Sequence, residues 1–220
     1  MTTRTCLTLL CVLVGASVFV GAAQAAPSFF GYTGLVAIPT ADSLNKEEYN
    51  LAAFAVNVDE GADYTTYAAN LGIVPNLEVG FARIKPDEAS GETWINAKYT
   101  FAPETGGNPA IAGGVIDFTD ETDATAYIVL SKSFGHSVRT SLGEITTPRF
   151  HIGVGGGQFD GVFGGVSATL GDRFTIMAEY DSEDVNWGAR LALSDEIRVH
   201  FGGFDGLDNV GLGISFNKYL

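Results

Sequence analysis

From residue 49 onward the chain alternates apolar residues with small or polar ones, with a period of two, and no helical pattern of useful length interrupts it. Successive side chains of a strand point to opposite faces, so this period marks half-buried β-strands. In 77–84, Leu77, Val79 and Phe81 oppose Glu78, Gly80 and Ala82. In 93–102, Ile95, Ala97, Tyr99 and Phe101 oppose Asn96, Lys98 and Thr100; in 174–181, Phe174, Ile176, Ala178 and Tyr180 oppose Thr175, Met177 and Glu179. Twelve spans read this way: 49–58, 64–73, 77–84, 93–102, 109–118, 124–134, 149–157, 162–170, 174–181, 185–193, 197–204 and 209–219. Gly, Asp, Asn or Pro ends each of them, as strand punctuation does. A further strand-like piece, Phe29 to Ile38, precedes the series.

A face of apolar residues against a face of polar ones describes two architectures. One is a soluble sandwich or small barrel acting as a periplasmic binding module. The other is a transmembrane β-barrel with lipid outside and a polar lumen. The polar faces favour the second. They are rich in Gly, Ser, Thr and Asn with one or two charges each, whereas a solvated face carries more charge. The export signals agree. Met1 to Arg4 is followed by an apolar stretch, Cys6 to Ala22, and by the small-x-small pattern Ala23-Gln24-Ala25. This reads as a signal peptide, 1–25, cleaved after Ala25; an uncleaved anchor helix is the alternative. Cys6 and Cys11 are the only cysteines, so the mature chain has no disulfide. No mature segment approaches the roughly 20 apolar residues of a transmembrane helix. The expected organisation is a signal peptide, an N-terminal segment at 26–48 and one antiparallel up-and-down barrel of about 12 strands at 49–220. The expected location is the cell outer membrane, with outer-membrane lipid as its surroundings.

The connections alternate in character. Asp59, Glu60, Asp63, Asp87, Glu88, Glu92, Asp120, Glu121, Asp123, Asp160, Asp181, Glu183, Asp184, Asp205 and Asp208 fall in every second one. An up-and-down meander gathers all of them at one mouth, with both termini at the opposite end. Val74-Pro75-Asn76, 103–108, Gly171-Asp172-Arg173 and Ser194-Asp195-Glu196 make up the other set. The connection 135–148, with His136, Arg139 and Glu144, is long for that end. The whole chain carries 12 basic against 26 acidic residues, a formal charge of −14. This excludes a nucleic-acid footprint. An acidic mouth attracts small cationic solutes, and its carboxylates are the kind of ligand Ca²⁺ and Mg²⁺ prefer, although no EF-hand-like loop is present. Tyr64, Trp94, Tyr127, Tyr180, Trp187, Phe204 and Tyr219 lie near strand ends and are expected to form interfacial belts.

One segment resembles a known family. Gly31-Tyr32-Thr33-Gly34-Leu35-Val36-Ala37-Ile38-Pro39-Thr40-Ala41 resembles the G-x-x-G-L-x-x-x-P-T-A stretch that opens YjbH-type outer-membrane proteins. Leu71 to Phe81 and Ile95 to Tyr99 resemble hairpins of the same broad group. The resemblance implies an outer-membrane barrel associated with exopolysaccharide production or export. Typical members are far longer and carry further domains, and barrel insertion signals usually end in an aromatic residue where this chain has Tyr219-Leu220. The resemblance therefore implies fold and location more than polysaccharide export. Physically, Pro39 is incompatible with a central strand, and Gly31 and Gly34 permit close backbone approach. The segment 29–41 is either inserted or an edge strand.

The candidate pore lining follows from the alternation: Glu78, Asn96, Lys98, Asp117, His151, Glu179, Arg190, Arg198 and His200. Three acids and three bases among them suggest pairing inside the barrel, because an unpaired buried charge is costly. Glu179 and Arg190, on consecutive strands, are the first expected pair. The ring is then either a polar constriction that filters solutes or a filling that stabilises the lumen. His151 and His200 have Ser167 and Ser215 as nominal partners, which keeps an outer-membrane lipid hydrolase as an alternative. No nucleophile motif such as G-x-S-x-G surrounds either serine, and no His/Cys cluster has metal-ligand spacing. The reading is a barrel without catalysis and without cofactor, serving as a narrow pore or structural component of envelope or exopolysaccharide transport.

Overall fold

In a computed structural model the chain is described at residues 25–87, 89–134, 138–140, 143–145, 148–171 and 173–220. Residues 1–24 of the expected signal peptide, Glu88, His136 and Asp172, together with the side chains of Arg139 and Glu144, lie outside the described residues.

Twelve antiparallel strands form a closed barrel: β1 (Glu48–Asn57), β2 (Tyr64–Val74), β3 (Leu77–Pro86), β4 (Glu92–Ala102), β5 (Ala110–Ile116), β6 (Thr125–Ser133), β9 (Arg149–Gly155), β10 (Gly161–Leu170), β11 (Phe174–Tyr180), β12 (Val185–Ala192), β13 (Ile197–Phe204) and β14 (Asn209–Tyr219). Each barrel strand pairs with its sequence neighbours, and β1 pairs with β14 from Glu48↔Tyr219 to Asn57↔Val210, which closes the ring. The strands fall within a few residues of the spans read from the alternation. β5 stops early because Asp117 takes a positive φ of 52° and turns the chain. The 135–148 connection holds an extra short hairpin, β7 (Val138–Thr140) with β8 (Gly143–Ile145), which touches the barrel at Ile145↔Leu170.

The two ends differ as the meander requires. The terminal end holds the start of β1 and the end of β14. The acidic end holds the loops 58–63, 87–91, 117–124, 156–160, 181–184 and 205–208. Between them the outer face is apolar: Phe81, Ile95, Phe101, Ile128, Ile152, Ile176, Leu191, Leu212 and Ile214 are all exposed. A band of this size is rare on a soluble monomer and matches the apolar outer band of outer-membrane barrels.

The lumen is not a polar channel. Residues 26–47 fold into it as a plug. Isolated bridges Pro27↔Thr33 and Gly34↔Pro39 tie the segment to itself, and Leu35 N donates to Ile38 O at 2.9 Å across a tight turn. Of the two placements left open for 29–41, the inserted one is found. Phe29, Tyr32, Leu35, Val36, Ile38 and Leu44 of the plug are fully or almost fully buried. Each such burial contributes about 1.5–3 kcal/mol. The wall meets them with inward apolar residues, among them Phe54, Ile84, Trp94, Ile116, Tyr127, Phe163, Met177 and Phe204.

This core corrects the aromatic reading. Tyr180, Trp187 and Tyr219 face outward, as belt residues do, but Trp94, Tyr127 and Phe204 turn into the lumen and Tyr64 stacks on Phe30 of the plug. The lumen glycines, which leave space in a barrel, are where the plug sits closest. A Cβ at Gly188 would stand 2.5 Å from Val36 Cγ2, one at Gly165 would stand 2.8 Å from Leu35 Cδ1, and those at Gly202 and Gly211 would meet the Phe29 ring at 2.8 and 2.5 Å.

Candidate functional site in the barrel lumen

The plug offers the lumen a bare backbone. A buried turn has N–H and C=O groups that neighbouring strands do not satisfy, and each must find a partner. The wall supplies charged ones. Glu179 on β11 receives three amides of the Leu35–Ile38 turn: Val36 N at 2.9 Å, Ala37 N at 2.5 Å and Ile38 N at 3.2 Å. Arg190 on β12 takes the carbonyls: its Nη2 donates to Leu35 O at 2.6 Å, Gly34 O at 2.7 Å and Pro27 O at 3.2 Å. The carboxylate thus holds one side of the segment and the guanidinium the other.

The expected Glu179–Arg190 pair is not formed. In the register Glu179 faces Asn186 and Arg190 faces Thr175, so the two charges sit several residues apart along the strands. Each finds plug backbone instead. Asn186 Nδ2 also donates to Glu179, at 3.3 Å.

Glu78 and Lys98 do stand opposite each other, on β3 and β4. Thr33 is wedged between them. Its hydroxyl donates to the Glu78 carboxylate at 2.8 Å and accepts from Lys98 Nζ, which also donates to Thr33 O at 3.0 Å. Leu44 N adds a bond to Glu78 at 3.0 Å. Tyr32, Asn96, Ile116 and Tyr127 close in around Glu78 and Lys98 and leave no cavity that would hold a water molecule.

The other expected lining residues divide. Asn96 accepts from Asp117 N at 3.0 Å, and Asp117 itself organises the β5–β6 loop through Thr119 Oγ1 and Thr122 N at 2.8 Å each. Asp117 is therefore a buried loop residue and does not line a pore. His151 lies between Ser131, 2.8 Å from Nδ1, and Ser167, 3.3 Å from Nε2, and Ser131 Oγ accepts from Ala41 N of the plug. His200 contacts Ser215 through Nε2 at 2.7 Å and Arg190 Nε through Nδ1 at 3.2 Å. Arg190 can only donate, so Nδ1 accepts and the ring proton sits on Nε2, facing Ser215. That arrangement does not draw a proton from the serine. Arg198 is half-buried on β13 near Glu48.

Several contributors carry no charge, or sit at strand ends where the alternation alone gave no reason to choose them. Asn70 Nδ2 donates to Gly31 O, and Thr100 Oγ1 donates to Ala41 O. Asn217 Nδ2 donates to Ala25 O. Arg149 closes the terminal end, bridging Asp42 of the plug at 2.5 Å and Glu104 of the β4–β5 connection at 3.1 Å. Partial burial raises the Glu104 carboxyl, but the Ser133 amide and Arg149 outweigh it and hold it below the ordinary value. What marked Asn70, Thr100 and Asn217 in the sequence was only their inward position in the alternation.

At the acidic end the carboxylates mostly serve their own loops. Asp63 is held low by the Val58 amide and by Asn57. Asp181 accepts from the amides of Glu183 and Asp184. Asp184 is raised by burial and by Asp205, Asp181 and Glu183 around it. Among the described residues no group of His, Cys, Asp or Glu is placed to hold a metal ion.

The fold has solved counterparts. The chain superposes on a structure titled "KdgM porin" with a TM-score of 0.57 at 9% identity, covering 76% of this chain and 98% of that one. The outer membrane protein Omp33 of Acinetobacter baumannii aligns with a TM-score of 0.47 at 9% identity, over 80% of this chain and 99% of that one. The first of these shows the fold: a porin-like barrel of the outer-membrane type. No curated protein matches the chain in sequence. The sequence model of a family described as "Exopolysaccharide biosynthesis protein YbjH" matches residues 26–190. That match begins at the plug and ends at Arg190, its guanidinium anchor, and the chain belongs to this YjbH family.

Proposed function

We propose that the protein is an outer-membrane channel component of exopolysaccharide traffic, held shut by its own N-terminal segment and working without covalent catalysis. The terminal end then faces the periplasm and the acidic loops face outward, as tight turns and termini do in outer-membrane barrels. The observation that carries the reading is the lumen: three buried charges, Glu78, Lys98 and Glu179, and the half-buried Arg190 all bond the backbone or hydroxyl of one inserted segment. A barrel that needed only stability could fill its lumen with apolar side chains, since buried charges add little net stability. Charged anchors on a separable segment suit a closure that is released. The export step rests on the leader-like N-terminus, and the exopolysaccharide role rests on the family description.

Planar-bilayer conductance tests the channel. Wild type is expected to be nearly silent. Glu179→Ala and Arg190→Ala are expected to open cation-favouring events through the acidic mouth. Silence from folded variants that have released the plug would defeat the channel reading and leave a structural role. Loss of secreted exopolysaccharide on deleting the protein tests the pathway independently.

A further inference from the structure

Basic side chains are scarce at the acidic end. Among the described residues only Arg83 and Lys85 bring them there, and both stand on outward positions of β3. The outer surface changes character at this point, row by row. Phe81 lies level with Ile95 on β4 and Ala69 on β2, the last apolar row. In the next outward row Arg83 lies between Thr93 and Tyr67; in the one above, Lys85 lies beside Thr65. Arg83 Nη1 donates to Thr93 Oγ1 at 2.8 Å, which fixes the guanidinium over the β3–β4 seam. Neither base forms an ion pair among the described residues. The outward side chains of these rows are a guanidinium, an ammonium, a phenol and two hydroxyls, with no carboxylate.

From this we infer a binding site for the phosphorylated headgroup of a glycolipid in the leaflet that meets the acidic end. The inference rests on the membrane placement proposed above. The chemistry is specific in two ways. Two bases alternate residues apart on one strand face, about 7 Å by strand rise, and can engage one phosphate or two neighbouring ones, with the Arg fork supplying paired donors. The hydroxyls of Thr65, Tyr67 and Thr93 add groups that suit sugar oxygens, which a simple phospholipid headgroup does not offer in number. Directly above these rows stand Asp87 and Asp63, with Asp87 N donating to Asp63 O at 2.9 Å, and the rest of the rim is acidic too, so attraction for anionic lipid is confined to the Arg83 and Lys85 rows.

The test uses the full barrel folded in detergent, as wild type and as the Arg83→Ala/Lys85→Ala double variant. Each is mixed in turn with a bis-phosphorylated lipid A, its dephosphorylated form, phosphatidylglycerol or inorganic phosphate, and retained ligand is read by native mass spectrometry. Wild type is expected to retain the phosphorylated glycolipid at least about fivefold more than the variant, and more than any of the other three probes. Equal retention by the two proteins, or equal retention of phosphatidylglycerol or free phosphate by wild type, overturns the assignment. Heat-modifiable gel mobility shows that both proteins are folded. A wild-type chain that stays soluble without detergent would defeat the membrane placement itself, and this site with it, which separates the two failures.

Discussion

At the residue scale, one side chain does an unusual share of the work. Glu179 satisfies three consecutive amides that no strand can reach. Glu179→Ala leaves these buried donors unpaired, and at about 1–3 kcal/mol for each of the three unsatisfied groups the barrel should lose about 3–9 kcal/mol. The urea midpoint in detergent measures this, and Glu179→Gln, which keeps an acceptor, should fall between. Glu104 gives a pH test. Its folded pKa lies below its ordinary value, so the Arg149 contact is complete above the ordinary carboxylate range near 4.3 and is lost as the pH falls through the lower folded value. Proteolysis of the 40–47 stretch should therefore rise only in strong acid, and Glu104→Gln should show the faster cutting already at neutral pH. The inward charges were readable from the alternation because each occupies the face opposite Leu, Val and Phe. Their partners were not. The alternation points to pairing across adjacent strands, while the true partners are backbone groups of a segment up to 163 positions away.

At the element scale, strands and plug differ in what specifies them. A strand such as Leu77–Pro86 is written locally, in its period and in the Pro75-Asn76 turn before it, where Asn76 takes a φ of 68°. Boundaries were therefore legible to within a few residues. The plug is written in the wall. Read alone, Phe29 to Ile38 looks like another strand, and only Pro39 and the glycines speak against it. Its shape comes from gaps at Gly165, Gly188, Gly202 and Gly211 and from charges on β3, β4, β11 and β12. Gly188→Val should force Val36 out of its place, at about 1–3 kcal/mol for the overpacked site, and expose the plug to protease. Gly106→Val, where a Cβ meets nothing within 4 Å, is the matched control and should change neither stability nor cutting. Equal protease resistance in both variants would show that wall and plug are not fitted to each other.

For the whole molecule, inside and outside can be read with two probes. The chain has two tryptophans. Trp94 is 5% exposed within the lumen, and Trp187 is 48% exposed on the outer band. In vesicles of brominated lipid, wild-type emission should be partly quenched. Trp187→Phe should leave emission that the bromines barely touch, and Trp94→Phe should leave emission that is strongly quenched. The reverse pattern would turn the barrel inside out. The global topology was legible because twelve alternating spans with acids in every second connection admit few arrangements. The state of the lumen was not, since the same inward Trp94, Tyr127 and Phe204 serve equally well as belt residues until something fills the space beside them.

The plug also sets an order of assembly. It is the first part of the described chain to be synthesised, yet the residues that hold its turn stand on β11 and β12, near the end. The interior cannot be completed until those late strands have paired. When β14 then meets β1, the seam seals a segment already lying inside, because Glu47 N is bound by Gly72 O of β2 and Glu47 O by Leu220 N just after β14. A barrel that closed too soon would trap an empty lumen with Glu179 and Arg190 facing nothing. Whatever inserts this protein must keep the β1–β14 gap open long enough for the first residues to find the last.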